Sequence, residues 1–387
     1  MSTAIISILV FGFLIFIHEF GHYITARIFK VTIEEFSIGM GPRLVTWVSK
    51  KTGIRYSISL LPIGGFVSMP GENGEYNGKE ESQNTSSDGK SELDTSADDG
   101  GEPAYKGNQA ETDKYAKYAN DPNTFGKKPA WQRFIITAAG ATVNIVAGFL
   151  AMIILTLFIN IGNTRVAQYH TEEELGMSTV SSEKLMVGDV ILRVDGKRVK
   201  ILDELSYEIM RNGNEPVDIL VSRGGEEILI EDVSFPVDET QGQKFGVMDF
   251  KVNRVDKKFG SVMSYSFRKA ALIVRMCWES LYDLITGRYT FAAVSGPVGI
   301  SSAIGSAAKA GFLSLLYITV LISINLGVMN LLPIPALDGG RILTILIEMI
   351  TGKKLPAKVE GMINAIGLSL LLGLSFIVLI KDIIQLI

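Results

Sequence analysis

The chain has 387 residues, 47% of them hydrophobic, with a mean hydropathy of +0.28 and a formal net charge of −4. That hydropathy is too high for an ordinary water-soluble enzyme, so membrane spans are expected, and the charge, averaged over lipid-facing and watery regions, selects no partner. The one cysteine, Cys277, excludes an internal disulfide, and histidine occurs only as His18, His22 and His170.

Four apolar stretches have the ~20 residues a bilayer crossing needs: Ala4 to Phe29, Phe134 to Ile161, Phe312 to Leu332 and Met362 to Ile380. The first is not expected to be a cleaved leader. It has no basic region ahead of it and no small-residue cleavage site behind it. Polar residues interrupt it at His18, Glu19 and His22. Small residues such as Ala138-Ala139-Gly140-Ala141 and Gly148 in the second favour close helix packing in lipid.

After the first span, Arg43 to Val48 and Arg55 to Leu61 predict a β-hairpin turning at Lys51-Thr52-Gly53. Ile63 to Val67 continues it, and the glycine pair Gly64-Gly65 suggests a close backbone approach. Gly71 to Asn123 is rich in Ser, Gly, Asn, Asp and Glu, a composition that buries no core and predicts a disordered linker. Beyond the second span, Val166 to Val252 predicts a soluble α+β module. Its strand around Val187 to Val199 turns at Asp195-Gly196. A helix follows at Leu202 to Met210, and then strands Val217 to Arg223 and Ile228 to Val233. Phe259 to Leu284 has apolar residues at helical spacing with Arg268, Lys269 and Arg275 among them, as an interfacial helix would.

Basic residues cluster at Arg27 and Lys30, at Lys127, Lys128 and Arg133, and from Arg341 to Lys358. They belong on the cytoplasmic side, which places the Val166 to Val252 module and both termini outside.

His18-Glu19-Phe20-Gly21-His22 is an H-E-x-x-H sequence. Residues four apart share a helix face, so both imidazoles can bind one Zn²⁺, with Glu19 as general base toward the water it activates. The bland alternative is a pair of packing histidines and a helix-end charge. Glu19 lies about 12 Å inside the span at about 1.5 Å per residue, and an acid there costs about 2.5–3.5 kcal/mol, which points to function. Catalytic zinc takes a third protein ligand. His170 sits on the opposite membrane side. Asp338 lies in Asn330-Leu331-Leu332-Pro333-Ile334-Pro335-Ala336-Leu337-Asp338-Gly339-Gly340, where prolines and glycines break the third span. Alone it is equally well explained as a helix N-cap. Beside an incomplete zinc site on the same side it is the expected third ligand.

Together these motifs resemble the site-2 protease family of intramembrane zinc metalloproteases, in its bacterial PDZ-containing, regulator-of-sigma-E protease type. Leu61 to Val67 and Ser295-Gly296-Pro297-Val298-Gly299-Ile300 also match, and the polar linker departs. The resemblance implies a polytopic α-helical membrane protein with about four transmembrane helices, a membrane-associated β-hairpin and an inserted PDZ-like α+β domain. Its divisions would be 1–70, 71–125, 126–162, 163–255, 256–300 and 301–387. It implies zinc on His18, His22 and Asp338, Glu19 as base, and Asn330, Gly64 and Gly65 at the substrate. The hairpin would accept substrate as an added strand, which re-satisfies the backbone of an unwound helix. Substrates would be single-span membrane proteins, such as anti-sigma factors or remnant signal peptides, met in the lipid bilayer, with no nucleic acid. The module resembles a PDZ domain through Gly188 to Gly196. Ser181 to Met186 stands where the family has a small-residue turn and Gly-Leu. A steric filter and a tail-binding groove fit equally well. An inactive scaffold would more readily have lost Glu19 or a ligand, and a metal transporter would carry further acids in spans two and four.

Overall fold

The computed structural model describes residues 3–72, 118, 120–240, 243–288 and 294–386. In chain order the elements are α1 (Thr3–Ile28), β1 (Glu35–Val48), β2 (Arg55–Ser68), α2 (Ala130–Phe158), β3 (Gly162–Tyr169), β4 (Val190–Val194) and β5 (Lys197–Arg198). Then come α3 (Leu202–Asn212), β6 (Val217–Arg223), β7 (Glu226–Val233), β8 (Val237–Thr240), β9 (Gln243–Gly246) and β10 (Phe250–Arg254). The chain continues with α4 (Phe259–Thr286), α5 (Pro297–Ala310), α6 (Phe312–Asn330), α7 (Asp338–Thr351) and α8 (Ala357–Leu386). Among the described residues four helices are long and apolar enough to cross a membrane: Thr3–Ile28, Ala130–Phe158, Phe312–Asn330 and Lys358–Ile384. These are the four spans expected, because a predominantly apolar run of this length satisfies its backbone in lipid as a helix.

The chain divides into two units, 1–144 with 329–376, and 145–328 with 377–387. In the first, β1 and β2 are long bent strands whose register runs in both senses. Arg43 to Val48 pairs with Arg55 to Ser59 as a hairpin (Val48 opposite Arg55, Arg43 opposite Ser59). Glu35 to Ile38 runs alongside Arg55 to Ile58 in the same sense, and opposite Gly65 to Ser68 in the reverse sense. The predicted hairpin is therefore half of a larger sheet, with Gly65 to Ser68 as one edge and Arg43 to Val48 as the other among the described residues. The chain reverses through the left-handed backbone of Gly64, at φ 82°. Glu35 is buried beneath the sheet and accepts from Ser57 Oγ at 2.6 Å and Arg43 Nε at 3.0 Å. A core of Ala26, Val31, Ile33, Phe36, Val67, Met69, Phe125 and Ile136 joins this sheet to α1 and α2.

The predicted linker lies outside the described residues at 73–117 and 119. Its two ends differ from a disordered reading. Phe125 is in the core, its N–H donates to the Pro70 carbonyl, and Thr32 Oγ1 donates to Asp121 at 2.5 Å. One aromatic side chain with a core to enter is enough to dock a segment whose average composition is polar.

In the second unit a sheet of order β10-β3-β4-β6-β7, with β5 on β4, covers α3. Val166, Leu185, Ile191, Leu205, Ile209, Ile219, Val221 and Phe250 fill the space between. The turn expected at Asp195-Gly196 has both residues at positive φ, 44° and 73°, as a two-residue hairpin loop requires. Ser181 to Met186 forms a 3-10 turn at Ser181–Glu183 and sends Leu185 into the core. The β8–β9 hairpin and the edge strand β10 carry no strong pattern in the sequence. Buried Asp189 accepts from Arg223 at 2.7 and 2.8 Å. Burial alone would push its carboxyl up, but the Arg223 guanidinium and the Met186 N–H more than offset this and hold it below the usual carboxylate range. The amphipathic segment is α4. One face pairs with α3 through Arg211 to Asp283, Arg275 to Glu208 and Lys269 to Asp203, while Phe259, Phe267, Trp278 and Tyr282 are exposed. The Ser295 to Ile300 motif opens α5, where Gly296 and Gly299 N–H groups donate to Asp382 of α8.

Candidate metal centre

Residues four apart on α1 put His18 and His22 on one face, and their Nε2 atoms lie 3.3 Å apart. Asp338 reaches them from the first turn of α7. Its Oδ2 is 3.1 Å from His18 Nε2 and 3.3 Å from His22 Nε2. Among the described residues these three are the group of His, Cys, Asp and Glu side chains able to hold a metal ion together. Asp338 is not the helix N-cap. Leu337 has that position, and it makes no side-chain cap bond. The break after α6 folds tightly back on α7, where a β-carbon on Gly339 would strike the backbone of Leu331 and Leu332. Close contact with that loop sets the direction in which Asp338 leaves the helix.

The donor chemistry fits a cation. The Ile136 carbonyl can only accept, so His22 Nδ1 donates to it at 2.8 Å. In the neutral ring His22 Nε2 then bears a lone pair, and it faces the buried Asp338 Oδ2, which has no hydrogen-bond donor among the described residues. Two acceptors aimed at each other 3.3 Å apart are stable only with positive charge between or upon them. Burial would raise the Asp338 carboxyl, but the two imidazoles hold it well below the usual range. His18 Nδ1 meets the Asn144 amide nitrogen at 3.3 Å.

Glu19 is buried at 9% exposure, next to the His18–His22 pair but on the cavity side. The cavity has a volume of about 880 Å³. Its walls include His18, Glu19 and His22 of α1, Gly65 to Met69 of the sheet edge and the turn after it, Asp338 and Arg341 of α7, and Asn364 of α8. Gly65 lies against Glu19 so closely that a β-carbon would sit 2.8 Å from Glu19 Cγ. Of the residues singled out in the sequence, His18, Glu19, His22, Asp338 and Gly65 therefore converge. The described lining of the cavity does not include Gly64, which forms the bend before Gly65, or Asn330, which closes α6. His170 belongs to the second unit, 3.4 Å from Glu174.

Three polar neighbours were not foreseen. Arg341 pairs with Glu72 in the cavity wall, and burial, which would lower its pKa, is outweighed by Glu72. Asn144 is fully buried in the apolar α2. A lone amide inside a span is itself the signal that could have found it.

A model of peptidase family M50 matches residues 6–374 of the chain. A Clostridium acetobutylicum protein, named provisionally as a zinc metalloprotease, is 31% identical over 98% of this chain and 97% of its own length. The zinc metalloprotease RasP of Geobacillus kaustophilus is 30% identical over 99% of this chain and 98% of its own length. The regulator of sigma-W protease RasP of Bacillus subtilis is 27% identical over the same shares.

Proposed function

The chain belongs to peptidase family M50, the site-2 protease family of zinc metalloproteases, and from that premise we propose that it hydrolyses peptide bonds within the transmembrane segments of single-span membrane proteins. The observation that carries the site is the triangle of His18 Nε2, His22 Nε2 and Asp338 Oδ2, with sides of 3.1–3.3 Å. A tetrahedral zinc with bonds of about 2.0–2.1 Å has ligand-to-ligand edges of about 3.3 Å. These three residues would hold the ion at the wall of the cavity.

Zinc, when bound, supplies Lewis acidity and brings the pKa of water from about 15.7 to about 7. Glu19 takes the proton of the attacking water at its carboxylate and delivers it to the departing amide nitrogen. The edge Gly65 to Ser68 receives the unwound substrate as an added strand, so its freed N–H and C=O groups are paired again. Gly65 lets that strand approach Glu19, Gly64 turns the edge into position, and Asn330 offers a polar contact to substrate backbone where α6 ends. The centre lies toward the cytoplasmic side of the plasma membrane. The PDZ-like domain, residues 163–255, lies outside with the 256–300 segment at the interface. The regulator role in the name of the Bacillus subtilis relative favours anti-sigma factors as substrates, with remnant signal peptides as a second source.

The test is to purify the chain in detergent with zinc and incubate it with a single-span substrate. Mass spectrometry of the fragments should place the cut inside the apolar segment. Cleavage only in the flanking polar sequence would overturn the proposal.

A further inference from the structure

We infer that Asn144 of α2 is a positioning residue for the metal centre, fixing which nitrogen of His18 faces the metal. The inference rests on the proposed zinc-ligand role of His18.

Ile136, Gly140 and Asn144 recur every four residues and so form one stripe along α2. His18 and His22, four apart on α1, lie against that stripe. Asn144 meets His18 Nδ1 at 3.3 Å, and Ile136 O meets His22 Nδ1 at 2.8 Å. Gly140 leaves the space that the His22 ring fills. Each imidazole thus has its Nδ1 turned to α2 and its Nε2 turned to Asp338. A neutral imidazole that gives Nε2 to a metal carries its proton on Nδ1, and that proton needs an acceptor. For His22 the acceptor is a main-chain carbonyl, fixed by the helix itself. For His18 it must be a side chain.

The Asn144 amide can take that part. Its oxygen and nitrogen ends exchange by a half-turn about the terminal side-chain bond, with almost no change in shape. With nitrogen toward His18 it donates to a ring that bears a lone pair on Nδ1. With oxygen toward His18 it accepts Nδ1–H and leaves Nε2 free for zinc. Asn144 is fully buried, on a helix that is otherwise apolar at this level, so water does not compete for the contact. The same geometry makes the ring orientation, as well as the tautomer, dependent on this one amide.

Outer partners of this kind typically contribute about 10–100-fold to metal affinity. The experiment compares Asn144→Leu, Asn144→Asp and His18→Ala in the full-length chain in detergent. Zinc affinity is read by competition with a chromophoric chelator, and the ligand field by the visible spectrum of the Co²⁺-loaded protein. Asn144→Leu, similar in volume but unable to accept, should weaken zinc about 10–100-fold and alter the Co²⁺ bands. Asn144→Asp, a stronger acceptor, should bind zinc at least as tightly as the natural chain. His18→Ala losing zinc, with both Asn144 variants unchanged in affinity and spectrum, would overturn the inference alone. His18→Ala keeping full zinc affinity would instead overturn the ligand reading beneath it. If Asn144→Leu does not fold, Asn144→Asp decides: tighter zinc binding with altered Co²⁺ bands supports the inference, and affinity unchanged or reduced, with the spectrum of the natural chain, rejects it.

Discussion

Gly140 of α2 and His22 of α1 touch so closely that a β-carbon on the glycine would overlap the imidazole, with Cδ2 and Cε1 both 2.8 Å away. The ring has no room to retreat, because its other nitrogen is bonded to Ile136. Gly140→Ala is expected to displace Nε2, lower zinc occupancy of the purified protein and reduce cleavage at least about 100-fold, since misplacement by about 1 Å has that effect. Gly12→Ala, in open space on α1, is the control, and should leave both unchanged. Zinc is read by elemental analysis against inserted protein.

Glu19→Gln should leave the metal in place and remove the proton acceptor. The amide is close in shape to the carboxylate and fits beside Gly65, so the cavity wall is kept. Cleavage of a single-span substrate is expected to fall by about 10²–10⁴-fold at unchanged zinc content. Turnover near the natural rate would remove Glu19 as the base.

Asp338→Asn and Glu348→Gln should differ in metal binding. Both acids lie on α7, but Glu348 is bonded to the buried Arg133 at 2.5 Å rather than to the histidines. Asp338→Asn is expected to lose zinc and activity. Glu348→Gln is expected to keep zinc and to unfold at lower temperature, because losing one member of a buried pair leaves the other charge uncompensated, by about 3–5 kcal/mol at the upper limit. Melting curves and zinc content of both variants give the answer, and zinc loss from Glu348→Gln would count against the assignment.

The Asp189–Arg223 pair predicts acid sensitivity in the second unit. The folded pKa of Asp189 is depressed, so its contribution is fully present above the unfolded value of about 3.9 and is lost as pH falls below it through the folded value. Melting temperature measured from pH 7 down to about pH 3 should drop more steeply for the natural chain than for Asp189→Asn. Equal slopes would show that the pair carries no pH-linked stability.

Ser222→Cys, near the end of β6, tests the orientation. The native Cys277 is half-buried, and burial pushes its thiol up, so it is a slow background. A membrane-impermeant maleimide added to intact cells should label the variant from outside. Labelling only after the inner face is opened would reverse the topology.

The spans and the two histidines were legible because they depend on local pattern: an apolar run for lipid, and a spacing of four for one helix face. The turns at Lys51 to Gly53 and Asp195-Gly196 were legible for the same reason. The sheet in which Glu35 to Ile38 lies between Arg55 to Ile58 and Gly65 to Ser68 was not, because its pairing joins segments of similar composition with no marker of register. Asp338 needed an argument from ligand count, whereas Asn144 needed the structure. A polar residue in an apolar span announces that it has a partner, but the partner lies 126 positions away on another helix.

The triangle at the metal centre has a consequence for the integrity of the first unit. His22 and Asp338 stand near opposite ends of the sequence, so an ion held between them, as proposed, would tie a very long loop shut, as a crosslink does. Its hold depends on supply. At a free concentration 1,000 times its dissociation constant, a ligand bound only by the native state adds about 4.1 kcal/mol to stability. Metal starvation would then threaten more than turnover. A chain emptied of its ion would become a preferred target for membrane quality control, so its abundance would follow zinc availability.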